Sequence, residues 1–271
     1  MQQDPTLPKG YENFLKVFQK RSGLDLTAYK NRQMIRRLKS YLNRVKLSNF
    51  EELSLLLLES DEALQHLKDF VTINVSEFFR NRERFEHLSS HVLPELIGRF
   101  GTLRIWSAGC SIGAEPYSLA ILLEELDPKG RHRILATDVD QTVLKQAAEG
   151  VFGEDKLKEV SRERLQHHFQ AVGDNTWKIV PRIRRWVDFR HHNLLKDRYP
   201  SNVHLILCRN VVIYFNDEAK NAIYRGFAQS LVPGGYLLVG NTESIFAPHQ
   251  YGLRSAGHFL YQTILPALHR S

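Results

Sequence analysis

The sequence predicts an α/β fold, with a mainly parallel sheet covered by helices on both faces and an all-helical domain before it. Helical periodicity continues from residue 11 to about 90, and short apolar runs alternate with helical patterns from Leu103 onward. Between about 165 and 186 this alternation is interrupted by a stretch typical of a small β-hairpin. We therefore expect a helical domain over residues 1–90 and an α/β domain over 91–271 that contains a small antiparallel insertion.

The N-terminal domain is expected to contain four helices. The first is predicted for YENFLKVFQKRSG and ends at Gly23, because glycine readily adopts the left-handed conformation that terminates helices. A longer helix is predicted from Leu26 to Leu47, and two shorter ones over 49–60 and 61–73. At about 100° per residue, one arc of the longer helix is apolar and is predicted to be buried. That arc contains Met34, Ile35, Leu38, Tyr41, Leu42 and Val45.

The longer helix also carries an unusual charge pattern. Between residues 26 and 50 the chain has seven basic residues and no Asp or Glu. Most charged helix surfaces only keep a protein soluble, but such surfaces usually mix the two signs. We therefore favour a surface that binds a polyanion, which is nucleic acid, anionic lipid or an acidic protein surface. This basic surface consists of Lys30, Arg32, Arg36, Arg37, Lys39, Arg44 and Lys46.

The α/β domain is predicted from apolar runs and the helical patterns between them. The segment HFLYQT (258–263) alternates and is predicted to return as an antiparallel strand at the edge of the sheet. The hairpin of the insertion is centred on Gly173-Asp174-Asn175. The other predicted strands are 103–107, 133–137, 186–189, 203–208 and 236–240. The predicted helices are 114–126, 140–148, 217–231 and a short one near 155–168.

The turn after the first strand is typical of a nucleoside site. Gly109 and Gly113 bracket it, and a missing Cβ lets a ligand approach the backbone closely. Asp138 ends the second strand, where an acidic side chain accepts hydrogen bonds from ribose hydroxyls. Because the glycines do not follow GxGxxG, a nucleoside without phosphates, such as S-adenosylmethionine, fits better than a dinucleotide. A glycine turn and an acidic strand end also occur in α/β proteins without a nucleotide site, so this motif alone leaves both readings open.

Further polar residues lie at predicted element ends. Asn74 is followed three residues later by an acid, which is the spacing of a helix cap, and Arg80 offers a cation one turn onward. Arg209 and Asn210 end an apolar strand, and Asn193 follows another. Because ligands of open parallel sheets bind beyond the carboxyl ends of the strands, these side chains are expected to face the same pocket.

Six motifs in this order resemble the CheR family of chemotaxis receptor methyltransferases. They lie between about residues 71 and 245 and read NVSEFFR, RIWSAGCSIGAEPYS, ATDVD, NLL, CRNVVIYF and LVPGGYLLVGNTES. Each motif alone is modest, whereas six in this order and spacing are highly specific. The helical N-terminus and the hairpin insertion also match that architecture. The resemblance implies a Rossmann-like fold that binds S-adenosylmethionine, and a protein-glutamate O-methyltransferase that acts on the cytoplasmic helices of chemoreceptors.

The same resemblance implies roles for individual residues. Arg80 and Tyr214 would lie beside the transferring methyl group, and the basic surface would dock on the acidic methylation helices of the receptor. Ser76 stands where the family often has threonine and keeps the hydroxyl. The cofactor contacts that the motifs imply are Asn74, Ser76, Arg80, Glu115, Asp138, Asn193, Leu194, Arg209 and Asn210.

Two other functions agree with parts of the sequence. A nucleic-acid methyltransferase would share the cofactor fold and the basic surface, but Arg209 stands where an acidic or aromatic base-gripping motif is needed. Between residues 30 and 46, Tyr41 is the sole aromatic among the basic residues, and it lies on the apolar face. A non-catalytic binding module would be expected to have lost polar residues at the strand ends, and here they are all present.

Composition and spacing argue against several other classes. No apolar run approaches the ~20 residues of a membrane span, and the first ten residues lack a signal-peptide core, so we expect a soluble, cytoplasmic protein. Cys110 and Cys208 are expected to be reduced and buried. No histidine spacing is typical of a metal site. A glutamate acceptor is already ionised at neutral pH, so the absence of a Ser-His-Asp or paired-carboxylate arrangement agrees with methyl transfer.

Overall fold

The chain divides into two compact units in the computed structural model, which describes residues 7–72 and 76–264. The smaller one, here the helical unit, contains the described N-terminal residues through Thr72 together with Tyr214–Lys220. The larger one, the α/β unit, contains the other described residues. Within the described ranges, every helix is too short or too polar to cross a bilayer.

Residues 76–90 lie in the α/β unit, whereas the sequence analysis placed its domain boundary at 90. Phe78 and Phe79 are buried among the core residues of the α/β unit. In addition, the backbone N–H of Phe79 donates a hydrogen bond to the Ser118 hydroxyl at 3.0 Å. Burial of two aromatic rings ties this segment to the larger unit.

Within residues 7–72 the helical unit contains four α-helices around a core of aromatic rings. Tyr11 and Phe14 pack against Phe50, with ring centroids 5.1 and 5.4 Å apart. Gly23, with a φ of 76°, ends the first helix as predicted. Asn49 and Ser60 cap the third and fourth helices with their side-chain oxygens. The helices are α1 (Tyr11–Ser22), α2 (Asn31–Arg44), α3 (Phe50–Glu59) and α4 (Asp61–Val71).

Helix α2 is shorter than the predicted helix from Leu26 to Leu47. Leu26–Ala28 forms a separate 3₁₀ turn, capped by Asp25, whose carboxylate accepts the Thr27 N–H. Tyr29 then pairs with Phe215 in an isolated antiparallel bridge, and this pairing keeps the backbone extended before α2 begins. The predicted apolar face is present: Met34, Leu38, Tyr41 and Leu42 are buried, and Ile35 and Val45 are half-buried.

The α/β unit is built on a seven-stranded sheet and a separate three-stranded sheet. The strands are β1 (Arg104–Ala108), β2 (Arg133–Asp138), β3 (Val151–Gly153), β4 (Phe169–Gly173), β5 (Thr176–Ile179), β6 (Val187–His191), β7 (Val203–Cys208), β8 (Leu231–Val239), β9 (Leu253–Gly257) and β10 (Leu260–Thr263). The helices are α5 (Arg82–His87), α6 (Leu93–Phe100), α7 (Ala114–Leu126), α8 (Gln141–Glu149), α9 (Arg162–His168), α10 (Pro181–Arg184) and α11 (Asp217–Ser230), the last of which begins in the helical unit.

The large sheet is mainly parallel, as predicted, with the strand order β6-β2-β1-β7-β8-β10-β9. The first five strands of this order run parallel to one another. Strand β10 pairs antiparallel with β8, and β9 pairs antiparallel with β10. The central strands are apolar because helices cover both faces. The predicted strand over 258–263 exists as β10, but its predicted edge position is wrong. The edge is formed by β9, whose residues after Leu253 are exposed and give no apolar alternation.

The predicted insertion forms the three-stranded antiparallel sheet β3-β5-β4. Strands β4 and β5 are joined at Asp174 and Asn175, and Asn175 has a φ of 53°, which suits the tight turn. The third strand, β3, comes from residues before the predicted insertion and pairs with β5 through Phe152 and Trp177.

Candidate functional site

The loop between β1 and α7 is fixed against the carboxyl end of β2. The N–H groups of Gly109 and Cys110 both donate to the Thr137 carbonyl, at 2.8 and 2.9 Å. Gly109 and Gly113 have φ values of 83° and 89°, a region that side chains rarely adopt. A Cβ on Gly109 would also clash with the side chain of Val211. The two glycines that the sequence singled out are therefore required by the path of this loop.

Asp138 lies at the end of β2 and is buried. Its carboxylate accepts the N–H of Ser111 at 2.8 Å and the N–H of Asp140 at 3.0 Å. Burial raises the pKa of this carboxyl, although the backbone hydrogen bonds act in the opposite direction. The Val139 backbone also donates to this carboxylate. Because a carboxylate offers about four acceptor positions, about one remains for a ligand. The Ser111 hydroxyl is also buried and has no hydrogen-bond partner within the described ranges.

Glu115 and Arg209 form a buried ion pair between the start of α7 and the end of β7. Arg209 Nη1 lies 3.4 Å from Glu115 Oε2, and the two side chains are 3% and 13% exposed. The Ser107 hydroxyl donates to Glu115 Oε1 at 2.8 Å. Burial raises the pKa of Glu115 above its ordinary value, while Arg209 and the Ser107 hydrogen bond act to lower it. The pair is therefore held by partners on three elements.

Arg209 also binds the segment that carries Arg80. Its Nη2 donates to the Arg80 carbonyl and to Asn81 Oδ1, both at 2.7 Å. Its guanidinium carbon lies 5.5 Å from the centre of the Phe85 ring. Arg80, Glu115 and Arg209, which lie far apart in the sequence, are thus brought into one hydrogen-bonded network.

Glu243, which the sequence did not mark as a site residue, follows β8 and is 4% exposed. Its carboxylate accepts the N–H groups of Asn210, Val211, Ile213 and Gly240. Asn210, a predicted cofactor contact, is therefore held at this edge through its backbone. An acidic residue just after an apolar strand was the available signal, but its four partners are backbone groups that no sequence pattern marks.

Asn193 and Leu194 lie in the turn that follows β6, and both are half-buried. Asn193 Oδ1 accepts the N–H of Leu195 at 2.9 Å, and the Asn193 N–H donates to Asp197 at 2.8 Å. The Leu194 carbonyl accepts the Tyr199 hydroxyl at 2.8 Å. The turn is thus well held, with its two predicted contacts at the same carboxyl edge as Asp138.

The other predicted site residues are placed as follows. Ser76 is half-buried in an irregular segment of the α/β unit. Asn74 lies outside the described residues. Tyr214 belongs to the helical unit, where its carbonyl accepts the Lys30 N–H at 2.9 Å.

Within the basic surface on and beside α2, Arg37 is bound to another helix, whereas most other members are exposed. Arg37 donates to the Phe70 carbonyl at the end of α4 through both Nε, at 2.9 Å, and Nη2. Its guanidinium also stacks on the Phe70 ring at 4.8 Å, and burial lowers its pKa. By contrast, Lys30 is half-buried, and five side chains are exposed and make no ion pair within the described ranges: Arg32, Arg36, Lys39, Arg44 and Lys46.

Comparison with known proteins decides the family. Residues 74–258 match the family domain described as CheR methyltransferase, SAM binding domain. The chain belongs to the CheR methyltransferase family. Residues 9–72 match the all-alpha domain of the same family. The predicted family, the predicted Rossmann-like fold and the predicted helical domain are therefore confirmed.

This CheR chain has similar relatives in several bacteria. A chemotaxis protein methyltransferase of Listeria monocytogenes is 42% identical over 258 residues, which cover 95% of this chain and 98% of the relative. Chemotaxis protein methyltransferase 1 of Pseudomonas aeruginosa is 36% identical, with 87% and 90% covered. The Escherichia coli K12 relative is 32% identical, with 86% and 84% covered. The chain is therefore an S-adenosylmethionine-dependent methyltransferase of the chemotaxis type.

The donor set at the end of β2 fits this cofactor. The Asp138 carboxylate, which accepts the Ser111 N–H, still has acceptor capacity. The hydroxyl of the same Ser111 has no hydrogen-bond partner among the described residues. Adenosine presents ribose hydroxyls, which both donate and accept hydrogen bonds. The structure thus offers a buried acceptor and a buried hydroxyl whose chemistry suits the hydroxyls of adenosine.

Proposed function

We propose that this CheR chain transfers methyl groups from S-adenosylmethionine to glutamate side chains of chemoreceptors and forms glutamate methyl esters. The observation that carries the proposal is the polar cluster at the carboxyl edge of the sheet, in a chain related to chemotaxis protein methyltransferases. Asp138 and the network of Glu115 with Arg209 form this cluster. The acceptor, the target protein and a cytoplasmic location are parts of this proposal.

We assign the cofactor to residues of this edge. Asp138 accepts a hydrogen bond from a ribose hydroxyl, and the Ser111 hydroxyl lies on the loop that it holds. When bound, S-adenosylmethionine supplies a methyl group made electrophilic by the sulfonium charge. The remaining proposed contacts are Asn74, Ser76, Arg80, Glu115, Asn193, Leu194, Arg209 and Asn210.

The acceptor chemistry requires positioning and no proton transfer. A glutamate side chain has a pKa of about 4.3, so it is already a nucleophilic carboxylate at neutral pH. The chain therefore has to align that carboxylate and exclude water. Positioning of this kind lowers the activation barrier by roughly 7–11 kcal/mol. We propose that Arg80 and Tyr214 orient the acceptor oxygen or the cofactor beside the methyl group.

The basic surface supplies a docking site for the receptor. Five of its members are exposed cations, and a helical segment rich in glutamates presents the opposite charge. Arg37 is excluded from this role, because its guanidinium binds the end of α4. We therefore assign docking chiefly to Arg32, Arg36, Lys39, Arg44 and Lys46.

A labelling experiment tests the proposal. The protein is incubated with methyl-tritiated S-adenosylmethionine and a purified chemoreceptor cytoplasmic fragment, or with DNA or RNA in parallel. We expect label on the receptor that is released as methanol at high pH, because methyl esters hydrolyse there and methylated bases do not. Label on nucleic acid would establish the alternative methyltransferase. Cofactor binding without any transfer would identify a binding module.

A further inference from the structure

We propose that Glu243 is a positioning residue for methyl transfer, which rests on the function proposed above. Glu243 Oε2 accepts the N–H groups of Asn210 at 2.6 Å and Gly240 at 2.7 Å. Its Oε1 accepts those of Val211 at 2.9 Å and Ile213 at 3.1 Å. With four donors its acceptor positions are filled, so the role of this carboxylate is to hold backbone and not to bind a ligand.

The four donors come from the ends of two neighbouring strands. Gly240 follows β8, and the other three lie in the loop after β7. Asn210 has a φ of 60°, a left-handed conformation that costs free energy unless its surroundings hold it. Glu243 is 4% exposed, so little water is available to replace these hydrogen bonds. Charge-assisted hydrogen bonds at a buried site are stronger than neutral ones, and these fix the loop in one conformation.

The held loop contains the residues that the proposed function needs. Arg209 directly precedes the three loop donors, and its guanidinium connects Glu115 with the Arg80 carbonyl. Glu243 thus fixes the backbone that carries Arg209 and Asn210, and its own carboxylate is occupied by backbone donors.

Gly240 provides an independent way to disturb the same arrangement. A Cβ on this residue would lie 2.8 Å from the Asn210 nitrogen and would clash with Oε2 of Glu243. Gly240→Ala therefore keeps the acid and displaces it from its donors. Glu243→Gln instead keeps the size of the side chain, but its amide NH₂ faces N–H donors that need an acceptor.

The test compares Glu243→Gln, Glu243→Asp and Gly240→Ala with Glu95→Gln. Glu95 is a matched control, because it is a carboxylate on α6 that accepts the side-chain hydroxyl of Tyr236 in β8. Rates of receptor methylation are normalised to the fraction of protein that binds S-adenosylhomocysteine in calorimetry. We expect kcat to fall at least tenfold in Glu243→Gln and Gly240→Ala, and the KM for S-adenosylmethionine to rise in the same two variants, because the held loop also carries the proposed cofactor contacts Arg209 and Asn210. Glu243→Asp should retain more activity than Glu243→Gln, and Glu95→Gln should match the wild type.

Each outcome bears on the inference. If the wild type methylates the receptor and normalised kcat is unchanged in Glu243→Gln and Gly240→Ala, Glu243 has only a structural role and the inference is wrong. If all four variants lose activity equally, the effect is general destabilisation and the inference is also wrong. If the wild type itself transfers no methyl group, the proposed function fails, and the inference fails with it.

Discussion

Asp138 is a proposed cofactor contact whose pKa is changed by burial. Burial raises its pKa above the ordinary value of 3.8, since the charged form loses hydration. In the proposed function, the carboxylate form is the one that accepts a hydrogen bond from a ribose hydroxyl. Under that proposal, burial disfavours the same ionised form that binds the cofactor.

Asp138→Asn should weaken S-adenosylmethionine binding by at least tenfold at pH 7.5, because a charged acceptor is replaced by an amide with one acceptor oxygen. Protonation of Asp138 begins at a higher pH than for an ordinary aspartate, because its pKa is raised. The wild-type affinity should accordingly decrease as the pH falls toward that raised pKa, and the affinity of the variant should change less. Isothermal titration calorimetry between pH 7.5 and 5 measures both; parallel pH profiles would contradict this role.

Tyr214→Phe tests the hydroxyl of Tyr214, which with Arg80 is proposed to lie beside the transferring methyl group. The ring is kept, so we expect folding and S-adenosylmethionine affinity to be unchanged. If the hydroxyl orients the acceptor, kcat should fall about tenfold, which is the loss of roughly one hydrogen bond in the transition state. Steady-state methylation with saturating receptor measures this. An unchanged kcat would remove the hydroxyl from the mechanism.

Helix α2 shows that a charge pattern does not separate docking residues from structural ones. Arg36 and Arg37 are adjacent arginines, yet Arg36 is exposed and Arg37 binds the Phe70 carbonyl and stacks on its ring. A cation at the carboxyl end of a helix also interacts favourably with the helix dipole. Arg37 therefore connects α2 with α4 inside the helical unit.

Arg37→Ala should lower the free energy of unfolding by about 1–3 kcal/mol, the range for hydrogen bonds to a charged group. Arg36→Ala, the matched neighbour, should leave it almost unchanged, because its side chain is exposed. Urea denaturation followed by circular dichroism measures both variants. Equal losses would mean that the contact of Arg37 with the end of α4 contributes nothing to stability.

The elements differ in how well the sequence predicts them. Buried strands such as β1 and β7 are predicted because they are continuous apolar runs between helical patterns. The start of α2 was missed because Tyr29 pairs with Phe215, which is distant in the chain. Strand β9 was missed because its exposed residues follow no alternation. The start of α2 and strand β9 depend on contacts between residues that are distant in the chain, and local sequence patterns do not show such contacts.

The same limit applies to the site. Asp138 and Arg209 were predicted because parallel strands bring their carboxyl ends to one edge. The hydrogen bonds of Glu243 to four backbone N–H groups depend on the conformation of two loops, so the sequence did not indicate them.

At the scale of the whole molecule, the net charge of +7 is concentrated in part on the basic surface. Attraction between this surface and a glutamate-rich helix would increase the rate of encounter, and the effect decreases with salt because the Debye length is about 10 Å at 0.1 M. We therefore expect docking by charge to affect receptor methylation and not cofactor binding.

The double variant Arg36→Glu with Lys39→Glu should slow receptor methylation at least tenfold at 50 mM salt, with a smaller effect at 500 mM. The matched control reverses Lys16 and Lys20, which are exposed on α1 and give the same change in net charge. Initial rates at subsaturating receptor measure the effect, and calorimetry should give an unchanged S-adenosylmethionine affinity. Similar rates for the two double variants would show that net charge, and not the basic surface, is responsible.

The most direct measurement of the proposed chemistry is the position of the transferred methyl group. A chemoreceptor cytoplasmic fragment is incubated with the protein and S-adenosylmethionine, digested at acidic pH and analysed by tandem mass spectrometry. We expect a mass increase of one methylene on glutamate side chains, which mild base removes and which is absent when those glutamates are replaced by alanine. Methylation of any other residue type, or no methylated peptide with an enzyme that binds its cofactor, would contradict the proposed chemistry.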